Sequence, residues 1–303
     1  MIDLVADADE LAESVSAALG RRYRLTPLKV KCTYPVFKGE SDGADPVFVK
    51  VGTMSEWTQT QDLLAAVGDC GFFSRFLTDR PIDCGGHAVF VMEWKPSRLA
   101  FPEDMNPRQI ESFVAGCVKL SQTLQRCGAR GAARPTVSAD TPEGLYGDVL
   151  RYVSRHPFAG RLLKGLVAIP KAERTLGRRR PSVCHGDFHA KNFGFVGDEF
   201  AVVFDFDKLT PGLACGDLVN ALAERFSCFH LSRMARRRLK DVARRIVAAV
   251  PWPREELAIA ANVIRLQFAV RRLRKHPNAP WVAFDVWRRD RKIREFLDCL
   301  EER

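Results

Sequence analysis

Hydrophobic positions along the chain fall into two regimes. In the first third they form short β-branched and aromatic runs, which predict strands at residues 23–32, 35–39, 47–51 and 87–94. Ser41-Asp42-Gly43-Ala44-Asp45 predicts a hairpin turn between the second and third runs, and Asp83-Cys84-Gly85-Gly86 borders the fourth. Further along, the spacing becomes helical. Ile110, Phe113, Val114, Cys117, Leu120 and Leu124 make one stripe across a predicted helix at 107–126. Helices are also predicted at 9–19, where Leu11, Val15, Ala18 and Leu19 share a face, and at 55–67, 145–152 and 158–169. Another opens at Gly216-Asp217, and three more follow at 231–250, 254–275 and 283–301. Residues 126–142, rich in Gly, Ala, Arg and Pro, read as a loop, residues 174–181 as a basic approach segment, and Pro211-Gly212 as a turn.

The stretch from Val183 to Asp207 fits neither regime. A short apolar run enters a polar loop carrying His185, Asp187, His189, Lys191 and Asn192. Phe193–Val196 is apolar again, Gly197-Asp198 is a turn, and residues 200–206 read as a buried strand that ends on Asp205 and Asp207. Asparagine and carboxylate oxygens at such a strand end suit Mg²⁺, a hard cation commonly held by one or two carboxylates plus substrate phosphates. Asp187 is then left to accept a proton from a hydroxyl. His185 and His189 read as groups that orient the loop backbone. There is no His-Glu-x-x-His or Cys-x-x-Cys, so a zinc site has no support. Lys50, inside the apolar run Val-Phe-Val-Lys-Val, needs an anionic partner.

His185-Gly186-Asp187-Phe188-His189-Ala190-Lys191-Asn192, followed by Phe204-Asp205-Phe206-Asp207, resembles the paired motifs of the aminoglycoside phosphotransferase and choline kinase group of protein-kinase-like enzymes. The resemblance implies a two-lobed protein-kinase-like α+β fold. A small antiparallel β-sheet N-lobe with one helix (residues 1–94) would bind nucleotide. A mainly helical C-lobe (residues 95–303) would carry catalysis and the acceptor. It implies further that Asp187 is the catalytic base, that Asn192 and Asp205 hold Mg²⁺, and that Asp207 is a second metal contact or an orienting carboxylate. Lys50 matches the lysine that reaches the ATP α/β-phosphates, and a carboxylate of the next helix should pair with it, Glu56 first and Asp62 as runner-up. Adenine would meet backbone groups of Glu93, Trp94 and Lys95. Asp217 matches an aspartate that anchors the catalytic loop, and capping a helix N-terminus is an equally good local role.

Two positions depart from the family pattern. Residues 31–35, where a loop would cover the nucleotide, contain no glycine, so Lys29, Lys31 or Lys38 would have to supply the attraction. Lys191 stands where relatives have a small residue. It is either a cation for the transferring γ-phosphoryl group or a solvent-facing loop lysine.

Composition narrows the setting. At 303 residues and 46% hydrophobic content the chain can bury a sizeable core. No apolar run reaches the roughly 18 residues needed to span a bilayer, and the acidic start has no signal-peptide character. Nine scattered cysteines suggest a reducing, cytoplasmic setting. Residues 231–303 hold 19 Lys/Arg against 9 Asp/Glu, the whole of the net +10. Those bases are either solvated helix faces or a surface for an anionic acceptor or an anionic membrane. The expectation is an ATP- and Mg²⁺-dependent kinase acting on a hydroxyl of a small molecule, a sugar or glycan-type acceptor that could be anionic, with no specific nucleic acid. Alternatives are an aminoglycoside or amino-alcohol kinase, a Ser/Thr kinase-like regulator, and a non-catalytic nucleic-acid-binding module.

Overall fold

The computed structural model describes residues 8–29, 35–67, 71–129, 182–205, 209–276 and 280–301. The helices expected at 145–152 and 158–169, the basic segment 174–181, Lys31 and Asp207 lie outside the described residues, as does nearly all of the loop expected at 126–142. The chain divides into two compact units, residues 1–97 and 98–303.

The first unit is a five-stranded antiparallel sheet in the order β1-β2-β3-β5-β4. Its strands are β1 (Arg24–Lys29), β2 (Val36–Glu40), β3 (Val47–Gly52), β4 (Ile82–Cys84) and β5 (His87–Glu93). Strand alternation sends successive side chains to opposite faces. On one face Val47, Val49 and Val51 meet Val89 and Val91 beneath Leu11 and Val15 of α1 (Ala8–Leu19). On the other, Phe90 and Ala88 pack with Trp57 of α2 (Met54–Val67) and with Phe76. The unit therefore carries a helix on each face. β4 was not expected from its three residues. It exists because Ile82, Asp83 and Cys84 pair with Val89, Ala88 and His87.

In the second unit α3 (Pro107–Ala129) buries the whole predicted stripe. Its start is a reciprocal cap: Asn106 Oδ1 accepts from the Gln109 N–H at 3.0 Å and Gln109 Oε1 accepts from the Asn106 N–H at 3.1 Å. The same side chains reach the turn of the β7–β8 hairpin (Phe193–Val196 and Glu199–Val203), through Asn106 Nδ2 to Asp198 and Gln109 Nε2 to the Gly197 carbonyl. Between α3 and the hairpin lies an aromatic core of Phe113, Phe188, Phe193, Phe195 and Phe200. Gly116 admits this packing. A Cβ there would stand 2.3 Å from Phe200 Cδ1 and 2.7 Å from its Cγ. Gly116→Ala gains helix propensity but must displace a buried ring, so a net loss of about 1–3 kcal/mol is expected. The urea midpoint measures it, and an unchanged midpoint would contradict the packing.

Two expectations need correction. Pro211-Gly212 is not a turn: β9 (Thr210–Gly212) pairs antiparallel with β6 (Ser182–Cys184), with Pro211 opposite Val183. A two-stranded ribbon has only edges, where proline is tolerated. The strand expected at 200–206 is Glu199–Val203, for a reason that belongs to the site below. Four helices complete the unit: α4 (Gly216–Ser227), α5 (Arg233–Ala249), α6 (Arg254–Lys275) and α7 (Pro280–Glu301).

Several bases of the final quarter are paired from within, although its net charge is unchanged. Asp285 pairs with Arg272 and Arg289. Asp290, itself buried, pairs with Arg265 and Arg294. Glu295 gathers Arg236, Lys240 and Lys292, and these cations hold its carboxyl below the usual range against the upward push of burial. Arg288 and Arg289 lie over the Phe229 ring. Arg237, Arg238, Arg271, Lys275 and Arg291 are exposed.

Candidate active site

The loop from His185 to Asn192 leaves β6, passes under α4 and enters β7. Its backbone is held group by group. Asp217, in the first turn of α4, accepts the His185 N–H at 2.8 Å through Oδ2 and the Gly186 N–H at 3.2 Å through Oδ1. Gly186 has φ +79°, a left-handed conformation that glycine takes without cost. His185, 0% exposed, accepts the Asp187 N–H on Nδ1 at 3.3 Å. That leaves the proton on Nε2, which donates to the Phe204 carbonyl at 2.6 Å. The Asp187 carbonyl accepts from Asn192 Nδ2 at 2.9 Å, and the Phe188 carbonyl from Asn220 Nδ2 at 3.1 Å. The Phe188 side chain is fully buried in the aromatic core.

These bonds explain where β8 stops. Phe204 uses its N–H on the Asn192 carbonyl at 2.8 Å and its carbonyl on His185, so it serves the loop rather than the hairpin ladder. Asp205 then takes φ +65°, the left-handed region, as a non-glycine residue. Such strain costs of order 1–3 kcal/mol and collects at functional sites. Asp205 is exposed, whereas Asn192 is 7% exposed.

Asp217 carries a raised pKa. Burial pushes its carboxyl up, against the pull of the His185 ring and the two N–H bonds. Of the two roles weighed for it, the structure shows the tie to the loop: the N-cap position of α4 is Cys215, with no side-chain cap hydrogen bond, and both Asp217 oxygens go to loop N–H groups. Cys184 and Cys215, beside it, are buried thiols; burial pushes Cys184 well up and Cys215 to about 12. They act as small apolar groups, and the six described free cysteines form no disulfide.

His189 accepts the Lys191 N–H on Nδ1 at 3.2 Å and places Nε2 3.9 Å from Asp187 Oδ1. The Lys191 side chain is exposed. With Nδ2 committed to Asp187, Asn192 keeps its amide oxygen for a ligand. Asn192 and Asp205 thus offer oxygen donors of the kind Mg²⁺ takes. Among the described residues no three or more His, Cys, Asp and Glu side chains gather into a metal cage.

In the first unit Lys50 pairs with Val36 and Phe90 in the sheet, and its ammonium lies 6.0 Å from the Phe90 ring centroid, on the α2 face. Glu56 Oε2 accepts from the Thr53 N–H at 2.8 Å, while Thr53 Oγ1 accepts the Glu56 N–H at 3.2 Å. One oxygen of the carboxylate expected to meet Lys50 therefore closes a capping box at the start of α2. The Glu93 N–H is already taken by the Arg75 carbonyl at 2.8 Å, and Lys95 Nζ donates to the Gly71 carbonyl at 2.6 Å. Lys38 pairs with Glu40 and lies 5.4 Å from the centre of the Trp94 ring.

Sequence reasoning missed Asn220. The available signal was its place three residues after Asp217, one turn further along the same helix face.

The model of a phosphotransferase enzyme family matches residues 61–252. Comparison with curated protein sequences gives no match. Among solved structures, a spectinomycin phosphotransferase in complex with AMP aligns with a TM-score of 0.62 at 12% identity, covering 95% of this chain and 98% of that one. An amicoumacin kinase in complex with AMP-PNP, Ca²⁺ and its ligand Ami gives 0.59 at 15% identity, over 98% and 95%. A choline/ethanolamine kinase family protein from Mesorhizobium loti gives 0.59 at 15%, over 96% and 98%. At these identities the likeness is one of fold, and it is the kinase-like α+β fold that the sequence implied. With the family model spanning well over half of its residues, the chain belongs to the phosphotransferase enzyme family and is a kinase that moves a phosphoryl group onto a hydroxyl of a small molecule.

Proposed function

We propose that the protein transfers the γ-phosphoryl group of ATP to a hydroxyl of a polyhydroxylated acceptor, with Asp187 as the base. The observation that carries this reading is the pinned loop. From His185 to Phe188 the backbone groups that position Asp187 are bonded to Asp217, His185, Asn192 and Asn220. A carboxylate on so fixed a backbone can meet a substrate hydroxyl at hydrogen-bonding distance and take its proton as the oxygen attacks phosphorus. Asn192 and Asp205 would hold Mg²⁺, which when bound neutralises phosphate charge. Asp207 is the further candidate ligand. Lys50 would meet the nucleotide phosphates, and backbone groups of Trp94 and Lys95 the base. Lys191, exposed on the loop, is the candidate cation for the transferring group, and the Glu56 carboxylate retains one oxygen that could serve Lys50.

The acceptor is the finer question. The basic final quarter, taken by itself, favours a neutral or anionic sugar over a cationic acceptor. Internal pairing by Asp285, Asp290 and Glu295 holds seven of its bases in place, which weakens that preference without changing the net charge. An amino-bearing acceptor therefore stands as the second reading, and spectinomycin and choline/ethanolamine kinases share the fold. A screen for ATP consumption over sugars, aminoglycosides, amino alcohols and nucleosides separates the two. Consumption with none of these classes would overturn the proposal.

The pairing also sets an expected salt response. Exposed charges are screened beyond roughly 8 Å at physiological ionic strength, whereas short, partly buried pairs are screened less. The acceptor KM is expected to change less than about twofold between low and high salt. A steep rise in KM would return the exposed Arg237, Arg238, Arg271 and Arg291 to the acceptor site.

A further inference from the structure

Asp217 and Asn220 stand one turn apart on α4, and both turn their polar groups onto the same loop. Asp217 takes the two N–H groups that precede Asp187, those of His185 and Gly186. Asn220 gives its amide N–H to the carbonyl that follows Asp187, that of Phe188, at 3.1 Å. Asp187 is thus bracketed from one rigid helix, an acceptor on one side and a donor on the other. Two neighbouring groups already hold Asp187 itself: its N–H goes to His185 and its carbonyl to Asn192. With the peptide that joins Asp187 to Phe188 already held through that carbonyl, the backbone freedom left beside Asp187 is rotation of the next peptide, from Phe188 to His189. The Phe188 ring, buried between Phe113 and Phe193, fixes the side chain at that point but not the direction of its carbonyl. Asn220 fixes that direction.

We infer that Asn220 is a positioning residue for the transfer reaction, acting on Asp187 through the Phe188 carbonyl. The inference rests on Asp187 being the base. Asn220 touches neither nucleotide nor acceptor in this role; it sets the angle at which the carboxylate meets the hydroxyl. A base displaced by even an ångström loses rate steeply, because transfer depends on a near-attack geometry. The contribution should therefore be to kcat rather than to nucleotide affinity.

The informative substitution is Asn220→Asp, which keeps size and shape but replaces the donor with an acceptor facing the Phe188 carbonyl. Asn220→Gln, which keeps the donor on a longer arm, is the conservative partner. Turnover is read as ADP release from Mg-ATP, with the best acceptor of the screen or, without one, with water as acceptor. Mg-ATP affinity is read by calorimetry and folding by thermal midpoint. The expected result for Asn220→Asp is a kcat lower by about 10- to 100-fold, with Mg-ATP Kd within about twofold and a folded protein, and partial recovery in Asn220→Gln. In an Asp187→Asn background the same substitution should have little further effect, since both changes act through one carboxylate. A kcat within about twofold of the parent in Asn220→Asp would overturn the inference. So would a loss of turnover accompanied in proportion by lost nucleotide binding and a lowered midpoint, or a full additive loss in the Asp187→Asn background. Asp187→Asn alone tests the underlying reading: normal turnover there removes the base assignment, whereas lost turnover there with normal Asn220→Asp removes only the role of Asn220.

Discussion

Asp187→Asn should lower kcat by about 10³- to 10⁴-fold while leaving the Mg-ATP Kd within about twofold of the parent. The substitution keeps the shape of the side chain and leaves every backbone bond of the loop in place, because Asp217, His185, Asn192 and Asn220 bind main-chain groups, not the carboxylate. What it removes is a proton acceptor, needed only as the hydroxyl attacks. Ground-state binding of nucleotide makes no use of that acceptor, so the loss belongs in kcat. Steady-state kinetics with an identified acceptor, together with calorimetric titration of Mg-ATP, make the measurement. Turnover within tenfold of the parent would mean that proton removal is handled elsewhere, and the loop would then be a scaffold only.

The second large effect concerns Asp205. Its backbone lies at φ +65°, a conformation that costs a non-glycine residue energy and that glycine accepts freely. Two substitutions therefore separate its chemistry from its conformation. Asp205→Ala removes the carboxylate and keeps the strain. Asp205→Gly removes both, and the folded state should be as stable as the parent or more so by up to about 1 kcal/mol. If the carboxylate holds Mg²⁺, both variants lose Mg²⁺-dependent ATP binding by about 100-fold or more, although one is strained and the other is not. Calorimetry with and without Mg²⁺ reads the binding, and denaturant midpoints read the stability. Retained Mg²⁺-dependent affinity in either variant would move the metal to other ligands, Asp207 being the nearest candidate in sequence.

Much of the molecule was legible before any coordinates. The five-stranded sheet's core runs, the α3 stripe and the span of α6 follow from residue spacing, because burial on one face of an element leaves a periodic trace in the sequence. The loop was legible for a different reason. His185, Asp187, Asn192 and Asp205 are polar residues between apolar runs that a packed core would otherwise exclude, so they announce a site even where their geometry is unknown. The family resemblance added roles to them, and the family model agrees with the family.

Other features had no local trace. β9 is three residues with a proline, which reads as a turn until Val183 is found opposite Pro211. β8 stops at Val203 although the apolar run continues, since Phe204 is claimed by Asn192 and His185 from the other end of the loop. The surplus of bases in the final quarter was countable from the sequence, but where its acids sit was not: three acidic residues of α7 gather seven of those bases.

By itself, then, the sequence determined which residues could do chemistry and which segments could form a core, since residue type and period are local properties. Tertiary structure decided which of those residues are held and by what. The bonds that aim Asp187 span 31 and 32 residues to Asp217 and Asn220, and the room for Phe200 against α3 depends on one glycine in that helix. Such contacts are set by three-dimensional packing, in which a residue's partner is whatever the fold brings near, and no spacing along the chain encodes that choice.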